Sequence, residues 1–440
     1  MPELSAHIVI TRAQRAALLG LLAFTVALAI ARPQTMWFAL NVLLVFSFLA
    51  GTVFRATLAL IGGLPKAARP SPGCAASLPV YTILVPLLRE ANVLPRLARA
   101  LLLLDYPHDK LDIKLIVEED DAETAVVAAE LSRRGPFEVV CVPRGKPQTK
   151  PRACNYALNF ARGEFTVIYD AEDRPERDQL HKAVGEFRAA DTDLACLQAR
   201  LNFYNAPDNW LTKSFALDYA LWFDVLLPGL DRLGVPMPLG GTSNHFRTGV
   251  LRELGGWDPF NVTEDADLGI RIAQLGKRVA MLDSTTFEEA PTRLPVWVKQ
   301  RSRWMKGYMQ TWLVHTRRPL SLLRRAGANG FFAFHLFIGG AVAASLATPL
   351  LWAALVLSLL LDGRAAALTA SGLAGGNLLL TLLAVASPFR RGWRGIAPYG
   401  LTVTVYWCLI AFAAWRGLFQ LMRDPFYWEK TAHGLARPGR

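Results

Sequence analysis

Four short signatures in this chain set carboxylates or an arginine where chemistry could use them, always in the same order. They are Glu118-Glu119-Asp120-Asp121, Asp170-Ala171-Glu172-Asp173, Thr263-Glu264-Asp265 and Gln300-Arg301-Ser302-Arg303-Trp304. Carboxylates one residue apart after a strand, as in Asp170 and Glu172 or Asp173, can point into one crevice and hold a hard divalent ion such as Mg2+ or Mn2+. Such an ion would neutralise charge on a departing nucleotide diphosphate; a solvated acidic turn would read the same. A carboxylate of the first cluster can accept a hydrogen bond from a base N–H. Asp265 is suited to take a proton from a sugar hydroxyl, although Glu264-Asp265 would equally suit a helix N-terminus. Arg303 offers a fork of donors matched to a diphosphate. Trp304 offers a flat face for a sugar ring, or an anchor at a membrane interface. Lys150, in Lys150-Pro151-Arg152-Ala153-Cys154-Asn155, places a cation at a helix start, where a phosphate contact is plausible.

The elements that must position these groups follow from the apolar pattern. Tyr81–Leu88 reads as a buried strand ending at Arg89-Glu90, and Leu94, Leu97, Leu101 and Leu104 mark a helix. Asp112–Val117, Phe137–Val142 and Phe165–Tyr169 are further strands. Strands alternating with helices predict an α/β domain over 78–291 built on a mostly parallel sheet. Ligands of such sheets sit beyond the carboxyl ends of strands, where Glu90, Glu118 and Asp170 fall.

Both ends of the chain are apolar. Ala16–Ala31 and Met36–Leu64 predict a transmembrane hairpin within 1–70 rather than a cleaved leader, because no small-residue cleavage site separates them. Pro70-Ser71-Pro72-Gly73 reads as a linker. Trp297, Trp304, Tyr308 and Trp312, interleaved with basic residues, predict an amphipathic interface helix within 292–326. Further apolar runs, Phe331–Leu361, Leu368–Ala386 and Thr402–Leu421, make 327–440 a membrane region with a basic tail. Arg12, Arg15, Lys66, Arg69 and Arg390, Arg391 and Arg394 flank these runs, which predicts a cytoplasmic catalytic domain in a multi-pass protein of a bacterial inner membrane. Three simple crossings after residue 331 would put the basic tail outside, so one run is expected to be re-entrant or interfacial.

The 440 residues are 52% hydrophobic, with 48 Lys and Arg against 36 Asp and Glu, a net charge of +12. The basic excess sits beside apolar spans, which argues for anionic lipid contact and against nucleic acid. Five cysteines, scattered and odd in number, fit no zinc spacing and suggest free thiols in a reducing compartment.

Taken together, these motifs resemble the membrane-embedded family-2 glycosyltransferases of the cellulose, chitin and hyaluronan synthase type, written D, D, D, QxxRW. The resemblance covers about residues 78 to 312. It implies a GT-A-like fold and an inverting transfer from a UDP-sugar to a growing β-linked polysaccharide with coupled export. A single transfer to a lipid acceptor of ceramide or polyprenol type is the alternative. It further implies that Pro86 and Glu90 lie at the donor entrance, that Glu118 and Asp120 contact the uracil, and that Asp170 and Glu172 bind the metal. Asp265, next to Glu264, would be the base; Gln300 and Arg303 would hold the diphosphate; Trp304 and a loop containing Gly241 and Thr242 would meet the acceptor. An Asp-Asp-Gly usual in this group is replaced here by Glu118-Glu119-Asp120-Asp121. The ending Trp428-Glu429-Lys430-Thr431 is similar to tryptophan-containing gating segments of related synthases, and no appended cyclic-dinucleotide-binding domain is expected.

Overall fold

The computed structural model describes residues 2–64, 77–361 and 363–429. The linker Pro70–Gly73, Lys66, Arg69, Cys74 and the tail from Lys430, with Thr431, Arg437 and Arg440, lie outside the described residues. The chain opens with two apolar helices, α1 (Arg12–Ala31) and α2 (Pro33–Gly63), joined at Arg32. Proline at the first turn of α2 needs no hydrogen-bond donor there and presets the helical φ.

Next come β1 (Tyr81–Leu87), α3 (Leu94–Leu102), β2 (Leu111–Glu118), α4 (Ala122–Arg134), β3 (Phe137–Val142), α5 (Lys150–Leu158) and β4 (Phe165–Ile168). They continue with β5 (Arg174–Pro175), α6 (Gln179–Ala189), β6 (Leu194–Phe203), α7 (Trp210–Leu221), α8 (Leu227–Leu233), β7 (Asn244–Arg247), α9 (Thr248–Glu253), α10 (Glu264–Gln274) and β8 (Arg278–Glu288). The strands form one sheet in the order β3-β2-β1-β4-β7-β6-β8-β5. The half built from β3, β2, β1 and β4 is parallel, as the alternating pattern predicts. Beyond it β7 runs antiparallel to both neighbours, so the sheet is mixed.

β1 is apolar at nearly every position because both of its faces are covered. Ile83 and Val85 pack toward α3, α4 and α6, while Leu84 belongs to the core on the opposite face, with α5, α7 and α10. That second core is continuous with Leu58 of α2 and with residues of the C-terminal helices. The soluble domain and the apolar helices therefore share one interior. Their backbones touch directly: a Cβ on Gly62 would lie 2.3 Å from the Val225 carbonyl oxygen, and one on Gly229 2.4 Å from that of Leu58.

The remaining helices are α11 (Leu294–His315), α12 (Pro319–Phe334), α13 (Gly340–Leu361), α14 (Gly363–Ala386) and α15 (Val403–Arg423). Among the described residues five segments are long and apolar enough to cross a membrane, Arg394–Arg423 included. Contacts, however, tie both ends of that last segment to α7 and α11. Thr402 accepts a hydrogen bond from Trp210 at 2.9 Å, and Lys306 of α11 donates to the Tyr427 carbonyl at 2.8 Å. Between these points Tyr406 meets Trp297, and Gly417 lies against Ser302, so α15 runs alongside α11.

The aromatic stripe of α11 is turned inward rather than toward lipid. Trp297 is fully buried against Tyr406, Trp304 stacks near Tyr219, and Trp312 donates to His335 at 3.1 Å. An amphipathic pattern reports a helix with one apolar face, and here protein covers that face.

Candidate active site

The parallel half of the sheet fixes the first part of the site. Leu87 pairs with Val117 and Leu84 with Ile168, so Glu90, Glu118 and Asp170 emerge at one edge from three adjacent strands. All three line a single cavity of ≈ 390 Å³, as do Pro86, Lys150 and Glu172. Glu264 and Asp265 from the start of α10, Gly241 and Thr242 from the loop before β7, and Gln300, Arg303 and Trp304 from α11 complete the wall. Asp170 and Asp265, 95 residues apart (265 − 170) in the sequence, thus face the same space.

Asp120 is the exception. It does not line the cavity; its exposed carboxylate accepts from Gln148 Nε2 at 2.9 Å. The acidic run divides its labour, because Asp121 caps α4 through Thr124 N–H and also accepts from the Arg89 backbone, which sits at a φ of 54°. Glu118 remains on the wall, paired with Arg152 at 3.3 Å.

Lys150 is the hinge pin of the arrangement. Its ammonium donates to Asp170 Oδ1 at 2.5 Å and to the Gly241 carbonyl at 2.6 Å. Gly241 in turn lies against Asp265, whose Oδ2 would be 3.3 Å from any Cβ there. Burial alone would lower the Lys150 pKa, but Asp170 and Glu264 outweigh it and hold the ammonium charged. The loop from Gly240 to Asn244 is fixed from below by Gln198, which accepts from the Gly240 N–H at 2.7 Å and donates to the Thr242 carbonyl at 3.1 Å. Ser243 takes a left-handed φ of 56°, held by its N–H on the Ile168 carbonyl and its hydroxyl on Thr286.

The metal motif is also divided. Asp173 is buried and off the cavity; it accepts from the Asp170 N–H at 2.7 Å and from the Thr242 hydroxyl. Burial, then the charges of Asp170 and Glu172, push its carboxyl well above the ordinary range. Asp173 braces the turn, which leaves Asp170 and Glu172 as the pair facing the cavity. Among the described residues no group of three His, Cys, Asp or Glu side chains is placed to cage an ion. Two carboxylates, with the other oxygens drawn from water and a diphosphate, fit the way Mg2+ is commonly held.

Burial raises Asp265 to about 6, against the pull of the Ala266 N–H, Lys150 and Arg303. Glu264, deeper and beside Asp265, is raised further. Asp267, on the same helix, is instead held by Arg271 and His315, each at 2.9 Å, and belongs to the frame. Arg303 stacks over Trp428 at 4.5 Å, and among the described residues its Nε finds no hydrogen-bond partner; neither does Gln300 Oε1. Helix α11 reaches this position because Gly307 lets it lie on Thr263, where a Cβ would come within 2.2 Å of the hydroxyl.

The sequence reading passed over Glu288, Asp218, Tyr219, Arg301 and Arg55, all on the cavity wall. Arg301 sits between the rings of Phe215 and Trp304, at 4.6 and 4.8 Å, and pairs with Asp218. One signal was available for Arg55, which is the only charged residue in the apolar run Met36–Leu64.

Residues 79–307, just over half of the chain, match the family model described as Glycosyltransferase like family 2. The chain belongs to that family. It is 25% identical over 285 residues to "Probable glycosyltransferase YdaM" of Bacillus subtilis (strain 168), covering 60% of this chain and 64% of that one. It is 29% identical over 245 residues to "Beta-monoglucosyldiacylglycerol synthase" of Trichormus variabilis, covering 54% and 50%. With the protein of that same name from Synechocystis sp. the identity is 24% over 404 residues, covering 88% and 82%. The chain thus spans less than two thirds of the first two relatives' lengths. A mannosyltransferase from Pyrobaculum calidifontis, solved with GDP-Man and Mn2+, superposes with a TM-score of 0.57 at 23% identity, over 84% of this chain and 98% of that one. That likeness supports the GT-A-like fold. None of the relatives given above is named as a cellulose, chitin or hyaluronan synthase.

Proposed function

We propose that the enzyme transfers one sugar from a UDP-sugar to a membrane lipid, with inversion at the anomeric carbon. The observation that carries this reading is the continuity of the cavity. It runs from Glu118 and Gln148 past Asp265 to Phe48 of α2, Ala344 and Trp352 of α13, Leu380 of α14 and Ile410 of α15. A wall that turns apolar beyond the catalytic carboxylates suits an acceptor with an acyl or prenyl body. The relatives named for monoglucosyldiacylglycerol synthesis point the same way.

In this mechanism the donor diphosphate lies against Arg303, Gln300 and Lys150, whose donors face the leaving group as charge develops on it. Asp265 accepts the acceptor hydroxyl proton while that oxygen attacks the anomeric carbon from the side opposite the diphosphate. An α-linked donor gives a β-linked product. Asp170 and Glu172 would hold Mg2+ or Mn2+, which supplies charge neutralisation at the diphosphate.

The catalytic domain is cytoplasmic in this reading and the protein sits in a bacterial inner membrane. The N-terminal segment bears on Asp258, and residues 424–429 bear on α11, so both ends lie on the catalytic side. We read α15 as the interfacial run.

A second reading, elongation and export of a polysaccharide, is favoured by the aromatic rings on the wall, Trp222, Trp304, Trp352 and Trp407. Enzyme in lipid nanodiscs, given a panel of UDP-sugars, Mn2+ and both neutral and anionic lipids, separates the two by mass spectrometry of the product. One sugar per lipid supports the first reading; a ladder independent of added lipid supports the second.

A further inference from the structure

Helices α2, α13, α14 and α15 all contribute to the cavity wall, and among the described residues Arg55 is their one charged lining side chain. It lies roughly 12 Å along the axis of α2 from Gly63, at 1.5 Å per residue. A guanidinium inside an apolar span is costly unless a partner or a pathway uses it. Arg55 makes no hydrogen bond or ion pair among the described residues; the opposite charge it faces is Asp218. Asp218 is already engaged by Arg301, which also donates to the Tyr406 hydroxyl at 2.8 Å. Arg301 thus holds Asp218, and the Arg55 guanidinium on the same cavity wall has no carboxylate within ion-pair distance among the described residues. One positive charge is left over. A neutral acceptor headgroup would not discharge it, whereas a phosphate would, through the paired N–H donors that match its oxygens.

We infer that the acceptor lipid carries a phosphate group and that Arg55 receives it. This rests on the lipid-acceptor reading above and narrows it to an anionic lipid class. The residue acts in acceptor selection.

The test is binding to the full-length enzyme without donor, read by the fluorescence of the cavity tryptophans. The probes are short-chain phosphatidic acid, the matching diacylglycerol and inorganic phosphate. The wild type should bind phosphatidic acid roughly 10- to 100-fold more tightly than diacylglycerol, the range of one charge-assisted contact. Arg55→Gln should bring the two lipids within about threefold by weakening the first only, and Arg55→Lys should recover part of the preference. Asp218→Asn, which frees the cation further, should strengthen it and serves if Arg55→Gln fails to fold. Equal binding of both lipids by the wild type would overturn the inference, as would a preference that survives Arg55→Gln. Inorganic phosphate binding as tightly as phosphatidic acid would overturn it too, because the site would then read a free anion. Transfer assays with each lipid and UDP-sugar run separately: polymer without any lipid product would sink the lipid-acceptor reading, while the binding arms alone decide the role of Arg55.

Discussion

Gly307→Ala is a change of one methyl group outside the cavity wall, and it should disable the enzyme. The new Cβ would lie 2.2, 2.5 and 2.7 Å from the Thr263 hydroxyl oxygen, Cγ2 and Cβ. Ordinary contact begins near 3.4 Å, so either α11 or the Thr263-Glu264-Asp265 turn must retreat by about 1 Å. Overpacking of that kind costs about 1–3 kcal/mol of stability. Catalysis should lose more, because α11 carries Gln300 and Arg303 while the turn carries Asp265. A misplacement of about 1 Å between reacting groups can cost about 100-fold in rate. The assay is UDP release under saturating donor and acceptor, alongside a thermal unfolding curve to show that the variant is folded. Thr263→Gly in the same chain moves the missing Cβ to the other side of the contact and should recover a large part of the lost rate. A folded Gly307→Ala enzyme with turnover within twofold of the wild type would refute this account of how the two motifs are held in register.

Other outcomes follow from the same geometry. The raised carboxyl of Asp265 must be ionised to accept a proton, so kcat should fall as pH drops through about 6, well above the usual aspartate range; a rate flat down to pH 4.5 would contradict it. Arg303→Lys keeps the charge but loses the planar fork, and should raise the KM for UDP-sugar by about tenfold or more in steady-state kinetics. Removing divalent ions with a chelator should suppress UDP release, with recovery on adding Mn2+, and Asp170→Asn should lose that recovery.

The parallel half of the fold was legible because β1, β2 and β4 are buried on both faces and carry mostly apolar runs, each followed closely by a carboxylate. The mixed half was not. β6 contains Gln198 and Asn202, and β8 contains Ser284, Thr285 and Thr286, all buried. Gln198 and Thr286 bond to the loop at Gly240–Asn244, Gln179 of α6 donates to Ser284 and Thr286, and no local pattern announces such pairing. The acidic clusters could be located but not divided. Asp121 serves as a helix cap, Asp173 as a turn brace and Asp120 sits on the exposed rim, because neighbouring carboxylates leave a loop in different directions. Arg301 occupies an unspecified position of Gln-x-x-Arg-Trp, yet its ring contacts and its pairing with Asp218 set the wall beside Trp304. Proximity between α7, α11 and α15 decides that, and it exists only in the folded chain.

The central claim is that Asp265 and the donor-side residues around Asp170 act across one cavity on one donor and one acceptor. The direct measurement compares Asp265→Asn with the wild type, reading UDP-sugar binding by calorimetry and turnover by UDP release. Donor affinity should stay within a few-fold while turnover falls by roughly 100-fold or more, as loss of a general base requires. Turnover within threefold of the wild type would contradict the account.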